Sequence, residues 1–163
     1  MSGPPDPRLI LHEGELDAGL ELLLLAEASL WASVDQGLEA EGVGLGRSHW
    51  RAAFLLRRRP GIGVQELAHL TSLSKQAASR ILADLEGKGL VEKQAGDLDG
   101  RRRSATLTAR GEAFEAAISE RLRGQLTRAY RTGGLDGVAG ARAILGAMAG
   151  GRMKSPSPGG GRP

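Results

Sequence analysis

The chain has 163 residues, 40% of them hydrophobic, and no cysteine, which excludes a disulfide scaffold, a thiolate metal site and a cysteine redox switch. The formal charge is +3 and arginine outnumbers lysine 18 to 4, a balance that favours an anionic partner only where the cations cluster locally. Since the sequence offers only two Trp, two Phe and one Tyr, its core has to consist mostly of Leu and Ala, and its length suits one compact domain or a small domain with helices that need a partner.

The two ends of the chain are predicted to be loose tails. Residues 1–12 are rich in proline and residues 151–163 in Gly, Ser and Pro, so neither end can bury enough apolar surface to order itself. The first residues lack the basic start and long apolar stretch of a signal peptide, and the apolar run 22–26 is too short to span a membrane. Together with the absence of cysteine, this predicts a cytoplasmic protein without a membrane partner.

Two helices between residues 13 and 59 are predicted to form an N-terminal support and dimerisation segment. Apolar residues recur at helical spacing in the first helix and lie on more than one side of it, so this helix needs two neighbours. The glycine-rich stretch 42–46 ends the first helix, and the second, over 48–59, stops at Pro60.

The next segment, 60–108, is predicted to be a compact lobe that begins with two short helices. Gly63 is the expected N-cap of the first of these helices, and residues 71–73 form the turn that follows it. Ser74 is the natural N-cap of the next helix, and a pair of glycines closes that helix before residue 90. This spacing is that of a helix-turn-helix.

A hairpin is predicted to follow the helix-turn-helix. Two short stretches of alternating polarity, 90–94 and 104–107, flank a polar loop that contains glycine, which is the pattern of two strands with a long tip. A helix-turn-helix followed by such a hairpin is a winged helix, and the hairpin tip is its wing.

The C-terminal segment, 109–150, is predicted to complete the dimerisation part. From the cap Thr108, apolar residues at a spacing of four define a long helix, which Gly133-Gly134 breaks before a last helix. The fold class is therefore mainly α with a small β wing. The terminal helices carry more apolar surface than a domain of this size needs, so we expect them to pair with a second copy. The residues expected in that interface are Leu16, Leu20, Leu23, Leu126, Tyr130 and Leu145.

The second helix of the helix-turn-helix is predicted to read DNA. Such a helix lies in the major groove with its first turns facing the bases. Its outward side chains suit this role, since Gln matches adenine, Arg matches guanine or phosphate, and Lys and Ser match phosphate oxygens. These residues are Ser74, Lys75, Gln76, Ser79 and Arg80.

The wing is predicted to make the second set of DNA contacts. Arg101, Arg102 and Arg103 are adjacent cations at the hairpin tip, where they repel one another unless an anion neutralises them. Asp99 is placed to orient Arg101 by a charge-assisted hydrogen bond. A charged loop alone is usually only solvated, but its fusion to a helix-turn-helix favours double-stranded DNA as the partner.

Other functions fit the residues less well. The zinc motif HExxH fails at His12, because the second histidine is missing, and no phosphate loop, nucleophile elbow or dinucleotide fingerprint is present. We therefore expect no enzyme, metal or cofactor. The alternative is a winged helix used for protein docking or RNA binding. Such a module does not need the polar residues of the recognition helix and the cations of the wing to act together, and the aromatic platforms typical of single-stranded RNA binding are absent.

Residues 61–111 resemble the MarR family of multiple-antibiotic-resistance-type regulators, and the motifs occur in family order. They are Pro60-Gly61-Ile-Gly-Val-Gln-Glu-Leu-Ala68, Ser74-Lys-Gln-Ala-Ala-Ser-Arg-Ile-Leu82, Leu85-Glu-Gly-Lys-Gly-Leu-Val-Glu92, Asp99-Gly-Arg101 and Leu107-Thr-Ala-Arg-Gly111. The Ser-Lys-Gln start of the recognition helix and the run Ala129-Tyr-Arg131 are also similar to a proteobacterial branch called PetP-like.

The resemblance implies a bacterial transcription regulator. In that family the terminal helices of a homodimer interlock and the two lobes straddle a pseudo-palindromic operator. The resemblance places the recognition helix at 74–88 and the wing arginine at Arg101. A repressor is favoured over an activator, because occluding a promoter needs no contact surface for polymerase.

Three departures from the family pattern bear on function. Ser72 stands where the turn often has Gly, which predicts either backbone strain or an altered turn. Gly100 replaces a common Arg, which weakens the wing tip unless Arg102 and Arg103 compensate. Some members sense oxidants through a cysteine, and a chain without cysteine cannot.

A small-molecule effector is a further expectation from the resemblance, since relatives often bind aromatic or anionic molecules where the dimer helices meet the lobe. Trp31, His49, Trp50 and Arg51 together can hold an aromatic carboxylate. In a chain with so few aromatic residues, however, the two tryptophans are better explained as core anchors. The effector therefore stays unassigned.

Overall fold

The computed structural model describes residues 11–94 and 104–150. In this part of the chain the elements are α1 (Glu13–Glu41), α2 (Arg47–Arg58), α3 (Val64–Thr71), α4 (Lys75–Gly87), β1 (Val91–Gln94), β2 (Ser104–Leu107) and α5 (Ala109–Ala149). The predicted mainly helical fold with a small β wing is confirmed. The predicted tails lie outside the described residues, except for residues 11 and 12.

The ends of the helices follow from their capping residues. As predicted, Gly63, Ser74 and Thr108 are the N-caps of α3, α4 and α5, and the side chains of Ser74 and Thr108 each accept a backbone N–H from the first turn. Gly42 ends α1 in the left-handed conformation, with a φ of 62° that glycine adopts without steric cost. The helix that was predicted over 48–59 begins and ends one residue earlier, because its N-cap is Gly46.

The core joins the winged lobe to the first turns of α5. Its members are mostly aliphatic, as the composition predicts, and they come from α1 to α5 and from both strands. The largest side chains that are almost fully buried include Leu56, Leu67, Leu85 and Ile118. Gly37 of α1 lies directly against Ile118, because a Cβ at position 37 would be 3.0 Å from its Cγ1. This close crossing holds α1 against α5.

The wing strands are tied to the helix-turn-helix. β1 and β2 pair antiparallel, with Val91 opposite Leu107, and Ala105 is buried between the sheet and the helices. The N–H of Ala105 donates to the carbonyl of Ile62 at 3.3 Å, just before α3 begins. The base of the wing is therefore hydrogen-bonded to the residue before α3 begins.

The outer halves of α1 and α5 lie apart from the core. The predicted break of the last helix is confirmed, since Gly134 has φ 67° and ψ −175° and interrupts α5. Large apolar side chains on these segments are exposed, for example Leu20 at 56% and Leu135 at 86%. Across the described ranges, no helix combines the length and the apolar character that crossing a bilayer requires.

A half-exposed ion pair connects α1 to the start of α2. Arg47 donates to both carboxylate oxygens of Asp35, with N–O distances of 2.7 and 2.5 Å, and its guanidinium lies 5.3 Å from the ring centre of Trp31. Hydrogen bonding to Arg47 holds the pKa of the Asp35 carboxyl below its ordinary value of 3.8.

Replacing Asp35 with Asn should lower stability at neutral pH and have much less effect in acid. Because the pKa of Asp35 is lower in the folded chain than in the unfolded one, the pair contributes stability that is fully present well above pH 3.8 and declines as the pH falls through the lowered value. Thermal unfolding of both proteins at several pH values tests this expectation. A difference in Tm that stays constant down to about pH 3 would contradict it.

Candidate nucleic-acid interface

The helix α4 presents two distinct faces. Its inner face carries Ala78, Ile81, Leu82 and Leu85, all buried against the rest of the lobe. Its outer face near the N-terminus carries the five side chains predicted to meet DNA, and all of them are exposed: Ser74, Lys75, Gln76, Ser79 and Arg80. The hydrophobic contacts of one face therefore fix the direction of the polar groups on the other.

Three of these five residues line one open surface cleft. Ser74, Gln76 and Arg80 surround it together with Ala77. Ser74 also caps the helix, because its Oγ accepts the N–H of Ala77 at 3.1 Å, and this leaves the hydroxyl proton available to a phosphate. Within the residues that the structure describes, no carboxylate forms an ion pair with Lys75 or Arg80. Their charges are thus available to a nucleic-acid partner.

The turn between α3 and α4 contains the strained backbone that the sequence predicted. Ser72 has φ 58° and ψ 32°, a left-handed conformation that costs a non-glycine residue about 1 to 2 kcal/mol. Its neighbours offset this cost, because the hydroxyl of Thr71 donates to the carbonyl of Leu67 at 2.6 Å and the N–H of Leu73 donates to Ala68 at 3.0 Å. Of the two outcomes expected at Ser72, strain is the one observed.

The wing residues predicted to bind DNA are Asp99, Arg101, Arg102 and Arg103. They lie outside the described residues, as does Gly100. The two strands that lead to this segment are in place, so the hairpin itself is confirmed. The contacts of the wing tip stay a prediction.

The two tryptophans pack in the core or against it. Trp50 is only 7% exposed, and its Nε1 donates to Ser119 Oγ at 3.2 Å. Trp31 meets Trp50 edge to face, with ring centres 6.2 Å apart, and its own Nε1 donates to Glu27 Oε1 at 3.2 Å. The interpretation of the two tryptophans as core anchors therefore agrees with their packing.

His49 also has structural partners on both sides of its ring. Its Nδ1 accepts the N–H of Gly46 at 3.0 Å, so the ring proton lies on Nε2, which donates to Asp84 Oδ2 at 3.1 Å. This contact links the start of α2 to the outer face of α4. The predicted effector group thus contains three residues whose polar atoms are already engaged within the chain, and Arg51, which is partly exposed.

The residues predicted for dimerisation lie in the first half of α1 and, on α5, beyond the core residue Ile118. In a single chain, at least half of the surface of Leu16, Leu20, Leu126 and Leu145 is exposed. Leu23 and Tyr130 are partly buried. Leu16 and Leu20 share one side of α1 with Leu24, which is 66% exposed, so the apolar surface is a row and not an isolated residue.

Sequence reasoning missed one polar cluster, which is centred on Glu115. This side chain is completely buried, accepts a hydrogen bond from Ser119, and lies 2.5 Å from Arg57 Nε of α2. The signal was a polar pair four residues apart, Glu115 and Ser119, directly beside the apolar pair Phe114 and Ile118. Such a pair on the inner side of a helix indicates a buried polar contact.

The match to a model of the MarR family covers residues 43–102. The chain is 36% identical over 140 residues to PetP, an HTH-type transcriptional regulator of Rhodobacter capsulatus, covering 86% of this chain and 83% of that protein. The chain belongs to the MarR family. It is therefore a DNA-binding transcription regulator with a winged helix-turn-helix lobe, as predicted.

Further relatives agree with the MarR assignment. An HTH-type transcriptional repressor of Mycobacterium bovis, Mb2911, is 42% identical over 60 residues, covering 37% of this chain and 43% of that protein. Among solved structures with this fold, NadR in complex with 4-hydroxyphenylacetate has a TM-score of 0.70 at 22% identity and covers 91% of this chain and 99% of its own. A point mutant of MepR of S. aureus, bound to an oligodeoxyribonucleotide, has a TM-score of 0.56 at 18% identity, covering 78% of this chain and 93% of its own.

Proposed function

We propose that this MarR-family regulator acts in the cytoplasm as a homodimeric repressor on a pseudo-palindromic duplex operator. The observation that carries the proposal is the arrangement of α4, whose outer polar face is held by a buried inner face while apolar rows on α1 and α5 lie uncovered. The polar face of α4 suits DNA, and the apolar rows on α1 and α5 suit a second copy of the chain. The proposed mechanism is occlusion of the operator and contains no catalytic step.

The apolar rows support the homodimer. Single exposed leucines are common on protein surfaces, but contiguous apolar surface usually marks an interaction site. Residues 16, 20 and 24 form one row on α1, and 126, 144, 145 and 148 add more apolar surface on α5. Pairing these helices around a two-fold axis buries them and places two α4 helices on one duplex.

Within α4, base reading is proposed for the side chains with paired hydrogen-bonding groups. Gln76 can match adenine N6 and N7, and Arg80 can match guanine O6 and N7. Ser74, Lys75 and Ser79 suit phosphate oxygens, which fix position without reading sequence. On the wing, we propose that the arginines 101–103 bind the DNA backbone or the minor groove, and that Asp99 orients Arg101.

For the effector we propose only its chemical class, a small aromatic or anionic molecule. Although NadR was solved with 4-hydroxyphenylacetate, three of the four residues that the sequence offers for such a ligand have partners within the chain: Trp31, His49 and Trp50. The four residues, Arg51 included, therefore stay an untested candidate site.

Selection from a random duplex library tests the proposed function directly. The full-length protein should enrich duplexes with two inverted half-sites whose centres lie about one helical turn apart, and its affinity for them should fall steeply as salt rises. The alternative, a winged helix that docks proteins or RNA, predicts no enriched duplex. Equal affinity for enriched and random duplexes would remove the claim of sequence-specific binding.

Two substitutions should separate base reading from backbone binding. Gln76→Ala should cost about 1 to 3 kcal/mol on the enriched duplex and little on random duplex, because it removes a base contact. Arg101→Ala should weaken both duplexes by a similar factor, because a wing contact carries little sequence information. The measurement is a pair of binding titrations for each variant at one salt concentration. If both variants lose the same affinity on both duplexes, the assignment of Gln76 to base reading is wrong.

A further inference from the structure

The cluster around Glu115 joins the DNA-binding lobe to the helix that leads to the proposed dimer interface. The carboxylate is completely buried, and two arginines from different elements approach it: Arg57 of α2 at 2.5 Å and Arg123 of α5 at 3.7 Å. Ser119 donates to the same carboxylate and itself accepts the indole N–H of Trp50 at 3.2 Å. Both Trp50 and Arg57 belong to α2, which packs on the lobe because its Leu56 shares the core with Leu67 and Leu85. The cluster therefore connects α5 to the lobe through α2.

Burying this carboxylate is a poor way to gain stability. Removing a carboxylate from water costs several kcal/mol, and a well-packed apolar side chain in its place is often equally stable. The contact is also incompletely hydrogen-bonded. Glu115 Oε2 lies 2.5 Å from Arg57 Nε but without the alignment of a hydrogen bond, so the pair is held by charge and proximity, and Arg123 Nη2 has no hydrogen-bond partner among the described residues. A buried ion pair is favourable only when its two charged groups are close and well oriented, so it constrains the relative position of the two helices that carry them. Apolar side chains keep most of their contact energy when one helix shifts slightly along the other.

Glu115 lies near the start of α5, so a small change in the angle of α5 at this point moves the far part of the helix by a large distance. An α-helix rises about 1.5 Å per residue, so Tyr130 lies about 22 Å beyond Glu115 along the same uninterrupted stretch of α5. A tilt of about 5° at Glu115 therefore moves the proposed interface by about 2 Å. Any such movement changes the distance between the two recognition helices of a dimer.

We propose that Glu115, held by Arg57, is a positioning residue that sets the angle of α5 against the DNA-binding lobe and thereby selects the spacing of the two operator half-sites. This inference rests on the proposed homodimer. In this role Glu115 makes no contact with DNA. Its effect is therefore on which spacing is bound, and not on how each half-site is read.

The first test measures spacing selectivity. The duplex most enriched by the wild-type protein is compared with versions that carry one base pair more or fewer between the half-sites, and with a duplex that holds one half-site. Glu115→Gln keeps the shape of the side chain and removes its charge. We expect wild type to prefer the original spacing by roughly tenfold or more and the variant to prefer it by less than about threefold, with equal affinity for the single half-site.

Arg58→Gln is the matched control. Arg58 neighbours Arg57 on α2 and is exposed, but it forms no ion pair with a carboxylate in the described part of the chain. This control removes one positive charge close to that of Arg57 and should keep the wild-type spacing preference. If Glu115→Gln fails to fold, the double variant Glu115→Met with Arg57→Met replaces the closest pair with apolar side chains, while Arg123 keeps its ion pair with Glu120 at 3.2 Å.

The second test does not depend on DNA or on dimerisation. Since the chain has no cysteine, Ala83→Cys on α4 and Ala117→Cys on α5 give two unique sites for spin labels, and both positions are exposed. Dilution with unlabelled chain leaves only the distance within one protomer. The Glu115 variants should broaden this distance distribution, and Arg58→Gln should not.

The outcomes separate the two proposals. If wild type enriches no duplex, the proposed function fails, and the distance distribution alone decides the role of Glu115. Folded Glu115 variants that keep both the wild-type spacing preference and a narrow distance distribution overturn the inference. A loss of thermal stability without either change identifies Glu115 as a purely structural residue and also overturns it.

Discussion

Gly111→Ala is expected to unfold the junction between the winged lobe and α5. A Cβ at position 111 would lie 1.9 Å from the carbonyl oxygen of Leu90, a distance that no side chain can occupy. That carbonyl cannot move away freely, because it accepts the N–H of Thr108 at 3.1 Å while Leu90 itself is buried. The Thr108 hydroxyl also donates to the carbonyl of Gly89 at 2.7 Å. We expect a loss of about 3 kcal/mol or more in the free energy of unfolding.

The same substitution at Gly124 is the control for Gly111→Ala. Both glycines lie within α5, but the nearest atom to a Cβ at Gly124 is the flexible end of Arg128, at 3.7 Å. Replacing a helical glycine with alanine where there is space should raise stability by about 0.5 to 1 kcal/mol. Urea unfolding of the two variants and the wild type measures both effects. If Gly111→Ala is as stable as Gly124→Ala, the close approach to Leu90 is not the reason for a glycine at this position.

The winged lobe could be predicted from the sequence because local signals define its parts. Ser74 and Thr108 are caps whose side chains accept N–H groups of their own first turns, and glycine pairs mark where helices end. Strain at the Ser72 turn is predictable for the same reason, since its conformation depends on one residue. Interactions of this kind connect residues that are near in sequence, so a short stretch of sequence shows both partners.

Contacts between distant segments were not predictable in the same way. Trp50 and Ser119 are 69 positions apart, and a pattern of polar and apolar residues does not say which distant side chains meet. His49, a candidate effector ligand by sequence, accepts the N–H of Gly46 at the start of α2 and donates to Asp84, two contacts that its position in the sequence does not indicate. The sequence indicates that a side chain faces inward, but its partner depends on how the helices cross, and that crossing is set by contacts such as Gly37 against Ile118.

Leu126→Lys is expected to convert the protein into monomers and remove most of its affinity for a duplex with two half-sites. Leu126 is 50% exposed in the single chain and lies beyond the core on α5, in the apolar surface that the proposed dimer buries. A lysine there places a charge in that interface without a partner, which is costly when buried. With one lobe per molecule, the second half-site no longer binds within the same complex, so affinity should fall by about 10² to 10⁴.

Ala113→Lys separates the loss of the interface from the mere addition of a charge. Ala113 is exposed on the same helix, close to the winged lobe and far from the outer half of α5. Sedimentation equilibrium should find wild type and Ala113→Lys as dimers and Leu126→Lys as monomers, and circular dichroism should show equal helix content in all three. Binding to a duplex with one half-site should be similar in the three proteins, because each lobe keeps its own contacts. A Leu126→Lys protein that sediments as a dimer would show that the surface of α5 around Leu126 is not the dimer interface, and the spacing of the two lobes would then have to be set by another surface.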